Sequence, residues 1–134
     1  MSFMLYSDFS LFSDNLKLGP VFTLSGMDFQ DVPGSPAVSF VNQTSGLNGL
    51  QFPDTGIEVN LPVAVPWARV HIGQFATPFT IEGIDTSGNA INTYALNKPN
   101  TYWFVNFYKG DLAMIRFAGG GNEGIIVSVC ILVP

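Results

Sequence analysis

The sequence contains little charge, and very little positive charge. Charged residues make up 11% of the 134 positions, against about a quarter in an average domain. The five basic residues are scattered and form no run: Lys17, Arg69, Lys98, Lys109 and Arg116. Ten acidic residues leave a net charge of −5. A nucleic-acid-binding surface needs clustered Lys and Arg to contact phosphates, so we expect no nucleic-acid partner.

Cysteine and histidine occur once each, as Cys130 and His71. A disulfide within the chain is therefore excluded, and so is a zinc cluster built from its Cys and His residues alone. The apolar run at residues 124–134 contains Cys130 and is too short to cross a bilayer. The N-terminal MSFMLYSDFSLFSD has no basic start and carries acidic residues, so we expect neither a membrane span nor a signal peptide.

Short apolar alternations separated by turn residues fill the chain, and they predict β-strands. The stretch GIEVNLPVAVPWARVHIGQFATPFTIEGIDTSGN (residues 56–89) holds three of them and ends in a DTSGN hairpin turn. The other predicted strands are 20–24, 37–41, 50–52, 90–96, 101–108, 112–117 and 123–133, with turn-rich links at 25–36 and 42–49. No segment has a convincing helical period, so the sequence predicts a single all-β domain, an antiparallel β-sandwich.

The N-terminal segment breaks this regularity. Phe3, Tyr6, Phe9 and Phe12 recur at every third position, which fits neither a strand nor a helix. We expect residues 1–17 to form an aromatic segment that packs on the sandwich or is exchanged with a neighbouring chain. Residues 18–134 then form the single domain.

The last predicted strand is apolar on both faces. Strict alternation places Ile125, Val127, Val129, Ile131 and Val133 on one face, and Ile126, Cys130 and Leu132 on the other. One face belongs to the core, and the second needs a cover. Hydrophobic residues make up 47% of the chain and its mean hydropathy is +0.32, so we favour a homo-oligomer contact, with the N-terminal segment as the alternative cover.

Several strand motifs resemble a known group of domains. GIEVNLP followed by ARVHIGQFATPFTIEGIDTSGNAI, and then GDLAMIRFAGGGNEGIIVSVCIL, is similar to the galactose-binding-domain-like jelly rolls, and MDFQDVPGSP looks like their entry loop. The resemblance covers residues 21–133 and rests on packing and turn positions. It implies a jelly roll and an extracellular or cell-surface module that binds carbohydrate or mediates adhesion. In some members of this group a structural calcium ion is bound.

An aromatic and polar strand face is the candidate ligand site. Alternation places Trp67, Arg69 and His71 opposite the apolar side of their strand, and it groups Tyr102, Phe104, Asn106 and Tyr108 on one side of 101–108. A sugar presents C–H faces to aromatic rings and hydroxyls to planar polar groups. The predicted ligand residues, if their strands share a sheet, are Trp67, Arg69, His71, Glu82, Tyr102, Asn106, Tyr108 and Arg116. The alternative is that Arg69 and Arg116 only form cross-strand pairs with Glu58 or Glu82.

A calcium site is a weaker prediction. Asp28 and Asp31 lie near the entry loop and Glu123 precedes the last strand, and carboxylate oxygens are ligands that Ca²⁺ prefers. Carbonyl groups at Pro33-Gly34 and in the glycine run 119–121 would add oxygens. The alternative is that these are surface carboxylates beside turns.

Catalytic motifs are absent from the sequence. It has no G-x-S-x-G, and His71 lies in the middle of a predicted strand beside Trp67 and Arg69. Glu58, Glu82 and Glu123 have no fixed separation that would suit glycoside hydrolysis. We therefore predict a non-catalytic carbohydrate-binding module that contacts a glycan ligand. The alternative is a structural or adhesive self-assembling subunit with protein contacts through apolar surfaces.

Overall fold

A computed structural model describes residues 1–35, 37–44, 47–108 and 110–134. These residues form twelve strands: β1 (Phe3–Asp8), β2 (Val21–Leu24), β3 (Met27–Asp31), β4 (Phe40–Thr44), β5 (Leu47–Phe52), β6 (Ile57–Val65), β7 (Ala68–Gln74), β8 (Phe79–Asp85), β9 (Ala90–Leu96), β10 (Thr101–Phe107), β11 (Leu112–Gly119) and β12 (Gly124–Val133). One short 3-10 helix, Phe9–Leu11, follows β1. None of the described residues belongs to a helix long and apolar enough to cross a membrane.

The strands form two antiparallel sheets. Sheet A has the order β10-β7-β12-β5-β4, with β1 also paired to β12, and sheet B has the order β2-β3-β6-β11-β8-β9. The eight strands β5 to β12 cross between the sheets so that β5-β12-β7-β10 faces β6-β11-β8-β9, which is the jelly-roll arrangement. The prediction of an antiparallel jelly-roll sandwich is therefore confirmed.

The core lies between the two sheets, and strand alternation builds it. Ala68, Val70 and Ile72 of β7 are fully buried, as are Phe107 of β10 and Phe117 of β11. Each strand therefore turns every second side chain inward and leaves the residues between them for the outer face. On β7 and β10 the inward and outward sides are the predicted ones.

The link predicted at 25–36 is wrong in part, because it contains β3. Its side chains alternate, with Met27, Phe29 and Asp31 buried. Ser25 and Gly26 both have positive φ angles, 52° and 76°, which is typical of the two-residue turn of a tight hairpin. The acidic and polar residues within β3 conceal this period in the sequence.

The segment 37–52 also differs from its prediction. The strand predicted at 37–41 begins later, as β4, and the link predicted at 42–49 contains the end of β4 and the start of β5. Ser45 and Gly46 of that link, Pro36 of the link before it and Lys109 of the turn after β10 lie outside the described residues.

Two strands share one edge of β12. β5 pairs with Gly124–Ile126, and β1 pairs with the rest of the strand, from Asp8 opposite Ser128 to Phe3 opposite Val133. The register of β12 against β7 shifts between Ile126 and Ser128, which indicates a β-bulge.

This bulge corrects the predicted faces of β12. An extra residue reverses the alternation, so Ile126 joins Val129, Ile131 and Val133 in the core, and Ile125 does not. Cys130 is nevertheless buried on the outer side of sheet A, at 6% exposure. A second copy of the chain is therefore not needed to bury this residue.

A candidate ligand-binding face

The outer side of sheet A carries side chains from four adjacent strands. In one row, Phe104 on β10 lies opposite His71 on β7, and β12 and β1 continue it with Ser128 and Asp8. A second row runs in the same order through Asn106, Arg69, Cys130 and Tyr6. With two neighbouring side chains, these rows form what we call the aromatic-polar face: Tyr6, Asp8, Trp67, Arg69, His71, Tyr102, Phe104, Asn106, Ser128 and Cys130. The described residues enclose no pocket, and the face is an open surface.

Aromatic rings occupy the β7–β10 part of the face. The His71 imidazole stacks on the Phe104 ring with centroids 4.3 Å apart and planes inclined by 20°. Tyr102 contacts His71 edge-on at 5.6 Å and Phe75 at 5.5 Å. Phe104 still has 62% of its surface exposed. An exposed ring on a row of fixed neighbours is a platform onto which a flat apolar group can pack.

Arg69 is fixed beside this platform. Its Nε donates a hydrogen bond to Oδ1 of Asn106 at 2.9 Å. Its Cζ lies 5.7 Å from the centroid of Trp67 and 5.5 Å from that of Phe104, within the range of cation–π contacts. The guanidinium group is thus oriented by one hydrogen bond and two rings.

Burial keeps several groups of the face uncharged. It lowers the pKa of His71, although the nearby Asp8 carboxylate opposes this. It also raises the pKa of Tyr102. Burial is the main cause of the raised pKa of Cys130, against the effects of a hydrogen bond with Tyr6 and of the Arg69 charge. That hydrogen bond in turn raises the pKa of Tyr6. These shifts all favour the uncharged forms of Tyr6, His71, Tyr102 and Cys130 at neutral pH.

The Asp8 carboxylate is hydrogen-bonded to Ser10 at the end of β1. It accepts hydrogen bonds from the backbone N–H of Ser10 at 3.0 Å and from the Ser10 hydroxyl at 2.6 Å. It caps the short 3-10 helix in this way. Asp8 therefore fixes the turn between β1 and the 3-10 helix.

The structure separates the predicted ligand residues into three groups. Five of the eight belong to the aromatic-polar face: Trp67, Arg69, His71, Tyr102 and Asn106. Tyr108 directly follows β10 and is 70% exposed. Glu82 and Arg116 lie on β8 and β11 in sheet B, because the jelly-roll chain path carries these strands to the opposite layer.

Arg116 has the cross-strand partner that the alternative prediction gave it. Its Nε lies 2.9 Å from Oε2 of Glu58 on β6. Both side chains keep partial exposure, so the pair contributes at most about 1 kcal/mol to stability. The same alternative does not hold for Arg69, whose hydrogen-bond partner is Asn106.

Sequence reasoning left Phe104 and the β1 residues out of the ligand set. Phe104 has the same strand phase as Tyr102 and Asn106, so alternation alone was sufficient to include it. Tyr6 and Asp8 reach the face only because β1 pairs with β12. No local signal in the sequence encodes that distant pairing.

The predicted calcium ligands have other partners or stand alone. Asp31 is buried and accepts hydrogen bonds from the backbone N–H and hydroxyl of Ser39. Asp28 accepts one from the Thr23 hydroxyl at 2.6 Å, and Glu123 is exposed in the turn before β12. Over the described ranges, no three His, Cys, Asp or Glu side chains are grouped to hold a metal ion.

No protein-family model matches this chain, and no curated protein sequence matches it either. Solved structures do resemble it. The apo module CBM1 of BiXyn10A is 11% identical with a TM-score of 0.50, and the match covers 96% of both chains. Arabinose-bound MgGH51 α-L-arabinofuranosidase is 14% identical with a TM-score of 0.52, and the match covers 96% of this chain but 26% of the enzyme.

A third similar structure is a low-affinity xylan-binding module, CBM86, from the gut symbiont Roseburia intestinalis. It is 17% identical with a TM-score of 0.45, and the match covers 83% of this chain and 92% of the module. At such identities the shared property is the fold. The resemblance to jelly rolls of the carbohydrate-binding-module type is confirmed at that level.

Proposed function

We propose that this chain is a non-catalytic carbohydrate-binding module whose ligand lies across the aromatic-polar face. One observation carries the proposal: the Phe104 ring is 62% exposed, stacks on His71 and lies next to an oriented Arg69–Asn106 pair. A solvent-exposed ring beside directed polar groups is the combination that a sugar needs. The whole-chain similarity to a carbohydrate-binding module supports the same interpretation.

The chemistry of such binding follows from the side chains. The C–H face of a pyranose packs on Phe104, and its hydroxyls contact Arg69, Asn106 and the His71 imidazole. Each contact is shallow because the surface is open. Affinity for a single sugar is therefore expected to be weak, and repeated units raise it through avidity.

A binding role suits this face better than catalysis. Glycoside hydrolysis uses two carboxyl groups roughly 5–10 Å apart. Asp8 is the one carboxylate among the ten residues of the face, and it is hydrogen-bonded to Ser10. We accordingly propose no chemical step.

A glycan array tests the proposal. Wild-type protein is expected to give a discrete set of signals. Phe104→Ala and Trp67→Ala should weaken them about tenfold, since loss of an apolar ring contact costs on the order of 1.5 kcal/mol. Phe3→Ala is the matched control, because Phe3 is also an exposed aromatic residue, at 51%, but its neighbours in register place it on the other side of β1. Signals that survive in Phe104→Ala, at unchanged melting temperature, would contradict the assignment.

Self-assembly is the second candidate function. Phe3 on one side of β1, and Met4 and Tyr6 on the other, are 41–58% exposed, and exposed apolar side chains on a strand are suited to contacts between copies. Light scattering on serial dilution tests it, and a stable monomer would exclude it. An oligomer would also multiply a weak glycan site. We propose an extracellular or cell-surface location for either role.

A further inference from the structure

The two arginines of this chain have different electrostatic partners. Arg116 forms an ion pair with Glu58, with Nε and Oε2 2.9 Å apart. Arg69 forms no ion pair with any acid in the described residues, and its Nε donates a hydrogen bond to the neutral Asn106. One guanidinium group is already compensated by a carboxylate, and the other is not.

The donors of Arg69 that remain are pre-oriented. Asn106 accepts the hydrogen bond of Nε. The two terminal amino groups make no hydrogen bond within residues 1–35, 37–44, 47–108 and 110–134. The rings of Trp67 and Phe104 limit the side chain to a small region above the sheet. A guanidinium held in this way loses little conformational entropy when it binds a planar anion.

Few negative charges oppose that anion locally. The pKa values of Tyr6, Tyr102 and Cys130 are raised, so these side chains are neutral near pH 7. Asp8 lies in the other row of the face and accepts hydrogen bonds from Ser10. Arg69 therefore has no carboxylate in its own row of the face, although the chain as a whole carries −5.

We infer that the aromatic-polar face recognises a sugar residue that carries a carboxylate, a uronate, and that Arg69 is its specificity-determining residue. The inference rests on the proposed function and names the substrate class of the same site. The two terminal amino groups of Arg69 donate parallel hydrogen bonds to the two carboxylate oxygens, a geometry that guanidinium and carboxylate share. Phe104 packs against the C–H face of the same residue or its neighbour.

The experiment uses short oligosaccharides in matched acidic and neutral forms. Suitable pairs are oligogalacturonates with their methyl esters, and glucuronoxylan oligosaccharides with their carboxyl-reduced forms. Short chains are needed because a long polyanion would be repelled by the net charge of −5. Both pairs are added to the glycan array of neutral sugars, and affinities are measured by calorimetry.

Wild-type protein should bind the acidic member of a pair about tenfold more tightly than its neutral partner. Arg69→Gln should remove that preference, and Arg69→Lys should restore part of it, because Lys keeps the charge and loses the planar fork. Arg116→Gln removes the same charge from sheet B and should leave the preference unchanged.

The other outcomes separate the two proposals. Equal affinity for both members of a pair, or a preference that persists in Arg69→Gln, would overturn the uronate inference. If neutral sugars still bind and Phe104→Ala weakens that binding, the proposed carbohydrate-binding function is supported even though the uronate inference is wrong. Absence of binding to every sugar on the array would refute both.

Discussion

The His71 imidazole lies nearly parallel to the Phe104 ring, with centroids 4.3 Å apart. The two residues are direct partners across the β7–β10 pair, so strand register alone brings the rings together. Stacking removes water from one face of the imidazole, which disfavours its charged form. This contact thus builds the platform and also keeps His71 neutral.

A pH titration tests this effect. The fold lowers the pKa of His71 below 6.5, mainly through burial, so the native state binds fewer protons than the unfolded state just below that pH. The contribution of His71 to stability is therefore complete above pH 6.5 and is lost as pH falls through the lowered pKa. The neighbouring titratable or charged groups are Asp8, Arg69, Tyr102 and Cys130. NMR of the His71 ring should give this low pKa.

Asp8→Asn is the informative variant for that titration. Asp8 raises the pKa of His71 and opposes burial, so its neutralisation should lower this pKa further. Asp28→Asn, in sheet B, is the control and should leave it unchanged. An imidazole that titrates at or above 6.5 in the wild type would contradict the account.

Asp31 and Asp28 should respond differently to truncation. Asp31→Ala leaves the buried N–H and hydroxyl of Ser39 without their acceptor and should lower the free energy of unfolding by about 2–4 kcal/mol. Asp28→Ala removes one exposed hydrogen bond with Thr23 and should cost about 0.5 kcal/mol. Urea denaturation measures both. A wild-type melting temperature that falls on addition of EDTA would show instead that these carboxylates hold a metal ion.

Gly56 should tolerate no larger residue. Its φ is +111°, and a Cβ at this position would clash with the carbonyl oxygen of Phe117. The left-handed conformation and the backbone clash should together cost Gly56→Ala about 2–4 kcal/mol. Gly110→Ala is the matched control, because nothing lies within 4 Å of its Cβ position. Equal denaturation midpoints for the two variants would contradict the backbone geometry.

Strands with one buried and one solvent-exposed face were the part of the fold that could be predicted from the sequence. On β7, apolar Ala68, Val70 and Ile72 alternate with polar Arg69 and His71. A period of two is typical of a strand and also shows which of its sides faces the core. The same holds for β10, and the two strands are neighbours. Local pattern therefore predicts which residues of each strand face outward, while the pairing of β7 with β10 is a long-range feature.

Pairings between distant strands could not be predicted in this way. Alternation does not say which sheet a strand joins, so Glu82 and Arg116 were grouped with residues that lie in the opposite layer. A one-residue bulge after Ile126 inverts the phase of half of β12, and no residue type marks it. The position of β1 could not be predicted either, because it depends on pairing with the distant strand β12.

Tyr6→Cys tests whether β1 belongs to its own chain. Tyr6 lies directly opposite Cys130, and directly opposed residues of antiparallel strands have Cα atoms about 4.5–5.5 Å apart, within the reach of a disulfide. Oxidation should therefore give a monomer without free thiols on a non-reducing gel. Closing so long a loop should also stabilise the protein by up to about 4 kcal/mol. Met4 lies opposite Leu132, so Met4→Cys should cross-link to Cys130 less readily. A disulfide-linked dimer as the main product, even at high dilution, would show that the N-terminal segment is exchanged between two chains.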